Sequence, residues 1–236
     1  MILNMRDVHV NLGLSHVLQG VNLSIRPGEV VGLFGRNGVG KTTIVKTIAG
    51  WYKPSSGEIY FIEKLINKLP SNEITRLGLG LVPEDRRIFP GMSVEDNLKL
   101  GLMQVSYQER KEAESRLENV LRQFPRLGER RAQAGNTLSG GEQQMLAMAR
   151  VLVGNPKLLL IDEPTEGLAP MVVAEIFQLM EKLRKQGISI LLIEQNILKA
   201  IHLCDRHYVV ERGSIVLEGS SKDPVDRDKL IARVSV

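Results

Sequence analysis

No run in this chain approaches the ~18 consecutive apolar residues needed to cross a bilayer, and the opening MILNMRDVHV lacks the basic-then-apolar order of a secretory signal. The sequence therefore reads as neither secreted by a standard signal nor integral to a membrane. Cysteine is nearly absent. Cys204 stands alone, which excludes an internal disulfide and suits a reducing cytosol. It shares a helical face with Ile197, Ala200 and Ile201 and is expected as a small buried apolar residue. The four histidines, His9, His16, His202 and His207, have no metal-ligand spacing, so ordinary packing or surface positions are expected for them. There is no repeat, low-complexity tract or long linker. The basic excess is only four charges over 236 residues, which permits an anionic partner but does not require one. With 43% hydrophobic residues, the chain can bury a sizeable core.

What is present is alternation. EVVGLFG (29–35), KLLLID (157–162) and ISILLIE (188–194) are continuous apolar runs separated by helical periods such as MVVAEIFQLMEKLRKQ. That pattern predicts an α/β fold with a parallel sheet covered on both faces. Residues 1–30, 207–218 and the IYF at 59–61 are strand-like and broken by turn residues, which predicts antiparallel hairpins. Between Ser93 and Ala134, Leu117, Val120, Leu121 and Phe124 form one apolar helix face among many charges. The expected organisation is a single domain, 1–236. Its core is 1–91 and 136–236, and a helical lobe, 92–135, is inserted in it.

The strongest local signal is GRNGVGKTT, spanning Gly35, Arg36, Asn37, Gly38, Val39, Gly40, Lys41, Thr42 and Thr43. It matches the Walker A pattern and lies between an apolar strand and a helix, where such a loop must lie. Its N–H groups can wrap a β-phosphate, Lys41 can reach the β/γ-phosphates, and the Thr42 hydroxyl can ligate Mg²⁺. LLLIDEP (158–164) supplies a second site: burying its strand places Asp162 and Glu163 at the carboxyl edge of the sheet. Asp162 is expected to hold Mg²⁺ through water, and Glu163 to accept a proton from an attacking water.

LSGGEQQ (138–144) opens a third feature, a helix with Ser139 as N-cap and Glu142 completing a capping box. Gly140 and Gly141 weaken a first turn and would let its N–H groups approach an anion, a choice that a cap alone does not explain. A Walker A loop, then LSGGEQQ, then LLLIDEP resembles the ATP-binding cassette of ABC proteins across the whole chain. The resemblance implies a P-loop NTPase of the ABC type, with a RecA-like core, an antiparallel β subdomain and the helical lobe. It implies ATP and Mg²⁺ as ligands. It also implies a dimer in which Ser139, Gly140, Gly141 and Glu142 of one subunit close on the ATP held by the other.

LVPEDRRIFPGMSVEDNL, FPRLGERR, TLSGGEQQMLAMAR, EGLAP, LLIEQN and IVLEGS are similar to the ATP-binding subunits of bacterial branched-chain amino acid importers. GRNGVGKTT and EPTEG also occur in the related urea and short-amide importers. The expected assembly is two ATPase subunits, a heterodimer in the cell or a homodimer when isolated, bound to two permeases at the cytoplasmic face of the membrane. A periplasmic binding protein is engaged only indirectly, and no nucleic acid is expected. Arg86, Arg87 and Phe89 lie where the family docks its membrane subunit. A soluble non-transport ABC ATPase, a non-hydrolysing regulatory subunit and an exporter of the lipopolysaccharide-extracting kind remain the competing readings.

Against the usual cassette pattern four positions depart. Leu12 stands where an aromatic residue stacks on adenine, Glu84 where a glutamine senses Mg²⁺, and Ala169 where an aspartate follows the Walker B strand. Gln195 replaces the histidine that contacts the γ-phosphate. Glutamine can donate to phosphate and accept from water, but it cannot carry a proton near neutral pH.

Overall fold

The computed structural model describes residues 1–103 and 110–234. In chain order the strands are β1 (Leu3–Leu12), β2 (Ser15–Ile25), β3 (Val30–Phe34), β4 (Ser56–Phe61), β5 (Lys64–Leu65), β6 (Leu79–Val82), β7 (Leu158–Asp162), β8 (Ser189–Ile193), β9 (Arg206–Glu211) and β10 (Ser214–Ser220). The helices are α1 (Lys41–Ile48), α2 (Ser71–Arg76), α3 (Val94–Leu102), α4 (Arg110–Gln123), α5 (Pro125–Glu129), α6 (Gly140–Val153), α7 (Pro170–Lys185), α8 (Ile197–Leu203) and α9 (Pro224–Val234). Part of the stretch expected to be a helical lobe, residues 104–109, lies outside the described residues.

Two sheets form, and the sequence shows why they differ. Every residue of β3, β7 and β8 is buried, as continuous apolar runs require when both faces of a sheet are covered. They sit in a six-stranded sheet of order β10-β9-β3-β8-β7-β6, parallel except for β10. β1 and β2 alternate instead, and with β4 and β5 they make an antiparallel sheet of order β2-β1-β4-β5. Asp7 adopts φ 48 where the β1–β2 register shifts, and Val8 and Val10 continue the buried face that Leu3 and Met5 began. The antiparallel segments of the sequence thus divide between the sheets, since the β9–β10 hairpin extends the parallel one.

Apolar side chains fill both faces of the six-stranded sheet. Ile44, Val45 and Ile48 of α1 pack with the inner residues of β1 and β2 on one side. On the other, Leu117, Val120, Leu121 and Phe124 of α4 share a core with Leu146 and Met148 of α6 and with Phe34, Val82 and Ile161 of the sheet. Among the described residues, α3, α4 and α5 join this shared core rather than forming one of their own. They reach the sheet through α6, and α3 approaches α6 so closely that a Cβ on Gly101 would lie 2.1 Å from the Arg150 carbonyl oxygen.

Candidate nucleotide site

The loop from Gly35 to Gly40 turns the chain from β3 into α1. Gly35 has φ 144, and a Cβ there would lie 2.4 Å from the Val210 carbonyl oxygen. Only glycine fits. Gly40, at φ 112, starts α1 without any side-chain cap, so the N–H groups of the first turn remain for an anion. Asn37, Gly38, Gly40, Lys41, Thr42 and Thr43 line a cavity of ≈ 290 Å³ together with Glu84, Glu163 and Gln195. Arg36 and Val39 contribute their backbones: the Arg36 carbonyl accepts from Lys41, and the Val39 carbonyl accepts from Gly213 N–H.

Lys41 is buried, and its Nζ donates to the carbonyls of Gly35 (2.8 Å) and Arg36 (2.9 Å). Burial lowers its pKa, against the opposite pull of Glu163 and Asp162. Glu163 Oε1 lies 4.0 Å from Nζ. The charge is therefore held inside the loop, in reach of whatever the loop surrounds.

Asp162 ends β7 with its Oδ1 buried and without a hydrogen-bond partner among the described residues. Its pKa is pushed up to about 6, first by burial and then by Glu163 and Glu84, while Thr42 and Lys41 pull it down. A buried carboxylate with an orphaned oxygen beside a threonine hydroxyl fits a hard divalent cation. Glu84, Glu163 and Glu166 can each bring a carboxylate oxygen within 4.8 Å of the other two.

Glu163 sits at φ 47, a strained conformation for a residue other than glycine. β7 and β8 pair Asp162 with Ile193, and Glu163 N–H donates to the Ile193 carbonyl, which sets the two strand ends side by side. Gln195 Nε2 then donates to Glu163 Oε2 at 2.6 Å. The turn that aims Gln195 is closed by Glu194, whose Oε2 accepts from Gln195 N–H (3.1 Å) and Asn196 N–H (3.4 Å). Burial pushes the Glu194 carboxyl up.

Other residues singled out in the sequence lie elsewhere. Leu12 is at the tip of the β1–β2 hairpin, opposite Ser15, and does not line the cavity; Val17 does. The turn at Ser139 does not line that cavity; it lines a second one with Gly141, Glu142, Val172 and Phe124. Ser139 and Glu142 form the expected capping box, with Glu142 Oε2 accepting from Ser139 N–H at 3.0 Å. The box holds the Glu142 carboxyl below its usual range, Ser139 supplying the larger part and Arg130 adding to it. Gly141 has a packing reason that the sequence hid: a Cβ there would come within 2.7 Å of Val172. Val17 and Glu166 line the cavity without having stood out in the sequence. Glu166 occurs in the EPTEG segment, but nothing in its spacing distinguishes it from a surface glutamate. Cys204 is buried, as expected of a small apolar residue, and so is His207, whose Nδ1 meets Ser221 Oγ at 3.2 Å.

The ABC transporter family profile matches residues 18–166. The chain is 41% identical over 216 residues to the high-affinity branched-chain amino acid transport ATP-binding protein BraG of Pseudomonas aeruginosa, covering 92% of this chain and 91% of that one. It is 33% identical over 218 residues to the lipopolysaccharide export system ATP-binding protein LptB of Escherichia coli K12, covering 92% and 90%. Among solved structures, the ADP conformation of MJ1267, an ATP-binding cassette of an ABC transporter, superposes with a TM-score of 0.86 at 27% identity, over 100% of this chain and 96% of that one. CbiO1 of Clostridium perfringens, part of the complex cbiONQ, gives 0.84 at 32%, over 99% and 94%. Phosphate loop, buried acid and capped glycine turn thus occur in one fold that these proteins share, and the chain belongs to the ABC transporter family as an ATP-binding subunit that hydrolyses ATP.

Proposed function

We propose that this chain powers the import of branched-chain amino acids, bound at the cytoplasmic face of a membrane to two permease subunits and a second ATPase subunit. The observation that carries the substrate class is the 41% identity to BraG over 92% of the chain. The LivF protein of Archaeoglobus fulgidus, a probable branched-chain amino acid transport ATP-binding protein, adds 34% over 228 residues. LptB of Acidithiobacillus ferridurans at 36% favours a second reading, lipopolysaccharide export. Urea or a short amide is the third, from the GRNGVGKTT and EPTEG motifs.

In the cavity, the loop N–H groups and Lys41 bind the phosphates, with Lys41 exchanging the carbonyls of Gly35 and Arg36 for phosphate oxygens. Thr42, Asp162 and Glu84 would hold Mg²⁺, which neutralises charge on the phosphates when bound. Glu163 accepts the proton of the attacking water, and Gln195 orients that carboxylate through its 2.6 Å hydrogen bond. Val17 and the hairpin bearing Leu12 face the base. Ser139, Gly140 and Gly141 complete the site of the second subunit, with Glu142 acting through the cap it forms with Ser139. Arg86, Arg87 and the half-exposed Phe89 meet the permeases.

Deleting the gene and measuring uptake of labelled leucine and urea, with lipopolysaccharide surface display alongside, tests the substrate. Loss of leucine uptake alone, restored by the wild-type chain and not by Lys41→Ala, is expected. Normal leucine uptake with either of the other two impaired overturns the reading.

A further inference from the structure

The loop from Glu84 to Phe89 joins three parts of the molecule. Glu84 lines the cavity beside Lys41. At the other end the Phe89 ring is half exposed, while its N–H donates at 3.0 Å to Oδ1 of Asn97, a fully buried residue of α3. Between them Arg86 (φ 55) and Arg87 (φ 48) are both left-handed. Two consecutive residues in that region persist only where their surroundings hold them.

Arg150, in the last turn of α6, does the holding. Its Nη1 donates to the Arg87 carbonyl at 2.7 Å and its Nη2 to the Arg86 carbonyl at 3.0 Å. Its guanidinium carbon lies 5.4 Å from the centroid of the Phe89 ring. Among the described residues no carboxylate pairs with it, so a part-buried charge is committed to two backbone oxygens. The planar fork gives each carbonyl its own nitrogen in a fixed geometry, where a lysine would have to share a single one. The loop meets the other end of α6 as well, since a Cβ on Gly140 would lie 3.2 Å from Arg86 Nη1. That end is the Ser139–Gly141 turn. From the far side, Arg87 stacks on Trp51, just beyond α1, at 4.4 Å.

We infer that Arg150 is a positioning residue that clamps the Glu84–Phe89 loop onto α6, so that the nucleotide cavity, the Phe89 face and the Ser139–Gly141 turn move as one body. The transmission it provides rests on the proposed function, in which Glu84 meets the metal and Phe89 meets the permeases. The clamp itself rests on geometry alone. A lysine at 150 keeps the charge and loses the fork; a methionine keeps most of the apolar stem and loses both.

Hydrogen exchange on the nucleotide-free chain tests the clamp without reference to activity. Amides of 85–89 are expected to exchange about tenfold faster in Arg150→Met, with Arg150→Lys intermediate and the Leu146–Ala149 amides of α6 unchanged. Unchanged loop exchange overturns the clamp. So does equal acceleration throughout α6, which would make Arg150 only a support of its own helix. In the transporter reconstituted with its permeases, both variants are expected to keep the KM for ATP within about twofold while substrate moved per ATP falls at least about fivefold. A loosened loop with unchanged transport per ATP overturns the transmission. A wild-type complex that hydrolyses ATP but moves none of the three substrates would instead overturn the proposed function and leave the exchange result standing.

Discussion

Gln195 and Glu163 are joined by a 2.6 Å hydrogen bond across the carboxyl ends of β8 and β7. An amide has no proton to exchange near neutral pH, so it can orient the carboxylate but cannot relieve it. Glu163→Gln is therefore expected to lower kcat by at least about a hundredfold while ATP still closes the dimer, and Gln195→Ala by about tenfold. Steady-state ATPase rates and ATP-dependent dimerisation in solution measure both. Turnover that survives Glu163→Gln and is lost in Gln195→Ala would reverse the two roles.

Asp162 sets a cost on the fold of the nucleotide-free chain. Its carboxyl is raised from 3.8 to about 6, so the folded state holds the proton more tightly than the unfolded chain does. The ionised form therefore destabilises the fold. The penalty is absent below about pH 4, grows as pH rises toward about 6, and is complete above it, where it amounts to about 3 kcal/mol at most. Asp162→Asn should accordingly raise the melting temperature of the nucleotide-free chain at pH 8 and leave it nearly unchanged at pH 4. It should also remove the stabilisation that Mg²⁺ with ATP gives the wild type. Calorimetry at the two pH values, with and without Mg²⁺ and ATP, decides it; a variant less stable at pH 8 would refute the cost.

The phosphate loop was legible because its constraints are local. Gly35 at φ 144 and the uncapped start of α1 follow from six or seven adjacent residues between a strand and a helix. The same holds for the capping box at Ser139 and for the strand ends that carry Asp162 and Glu163. What was hidden depends on contacts between distant segments. Gly141 is required by Val172, Gly101 by Arg150, and neither pairing has a period or spacing to betray it. Val17 enters the cavity because β2 runs past the loop, and Glu166 because the chain turns back after Glu163. The apolar core that α4 and α6 share with the sheet is likewise built from distant segments.

Leu12 offers a test of how the base is held. It projects from the hairpin tip, partly exposed, and only Val17 of that hairpin lines the cavity. An aromatic ring adds about 0.5–1.5 kcal/mol when it stacks. Leu12→Tyr should therefore tighten ATP binding between about twofold and tenfold, and GTP binding by less. Titration calorimetry of both nucleotides against the two chains measures this. Unchanged affinity would mean that the tip does not reach the base and that Val17 alone meets it.

Glu194 is a buried carboxylate directly after β8, and its place there has a structural reason. One oxygen accepts two backbone N–H groups and fixes the turn that aims Gln195; the other, Oε1, makes no hydrogen bond among the described residues, and Glu194 borders a cavity shared with Glu163 and Thr165. The turn needs an acceptor, not a charge, and a glutamine oxygen can supply it. Glu194→Gln should therefore keep kcat within about threefold of wild type. Glu194→Ala removes the acceptor, leaves two N–H groups unsatisfied and lets Gln195 drift, so its kcat should fall about as far as that of Gln195→Ala. Because both act through one hydrogen bond, the double variant Glu194→Ala with Gln195→Ala should be no slower than either alone. Additive losses in that cycle would show that Glu194 acts on the reaction by a route other than Gln195.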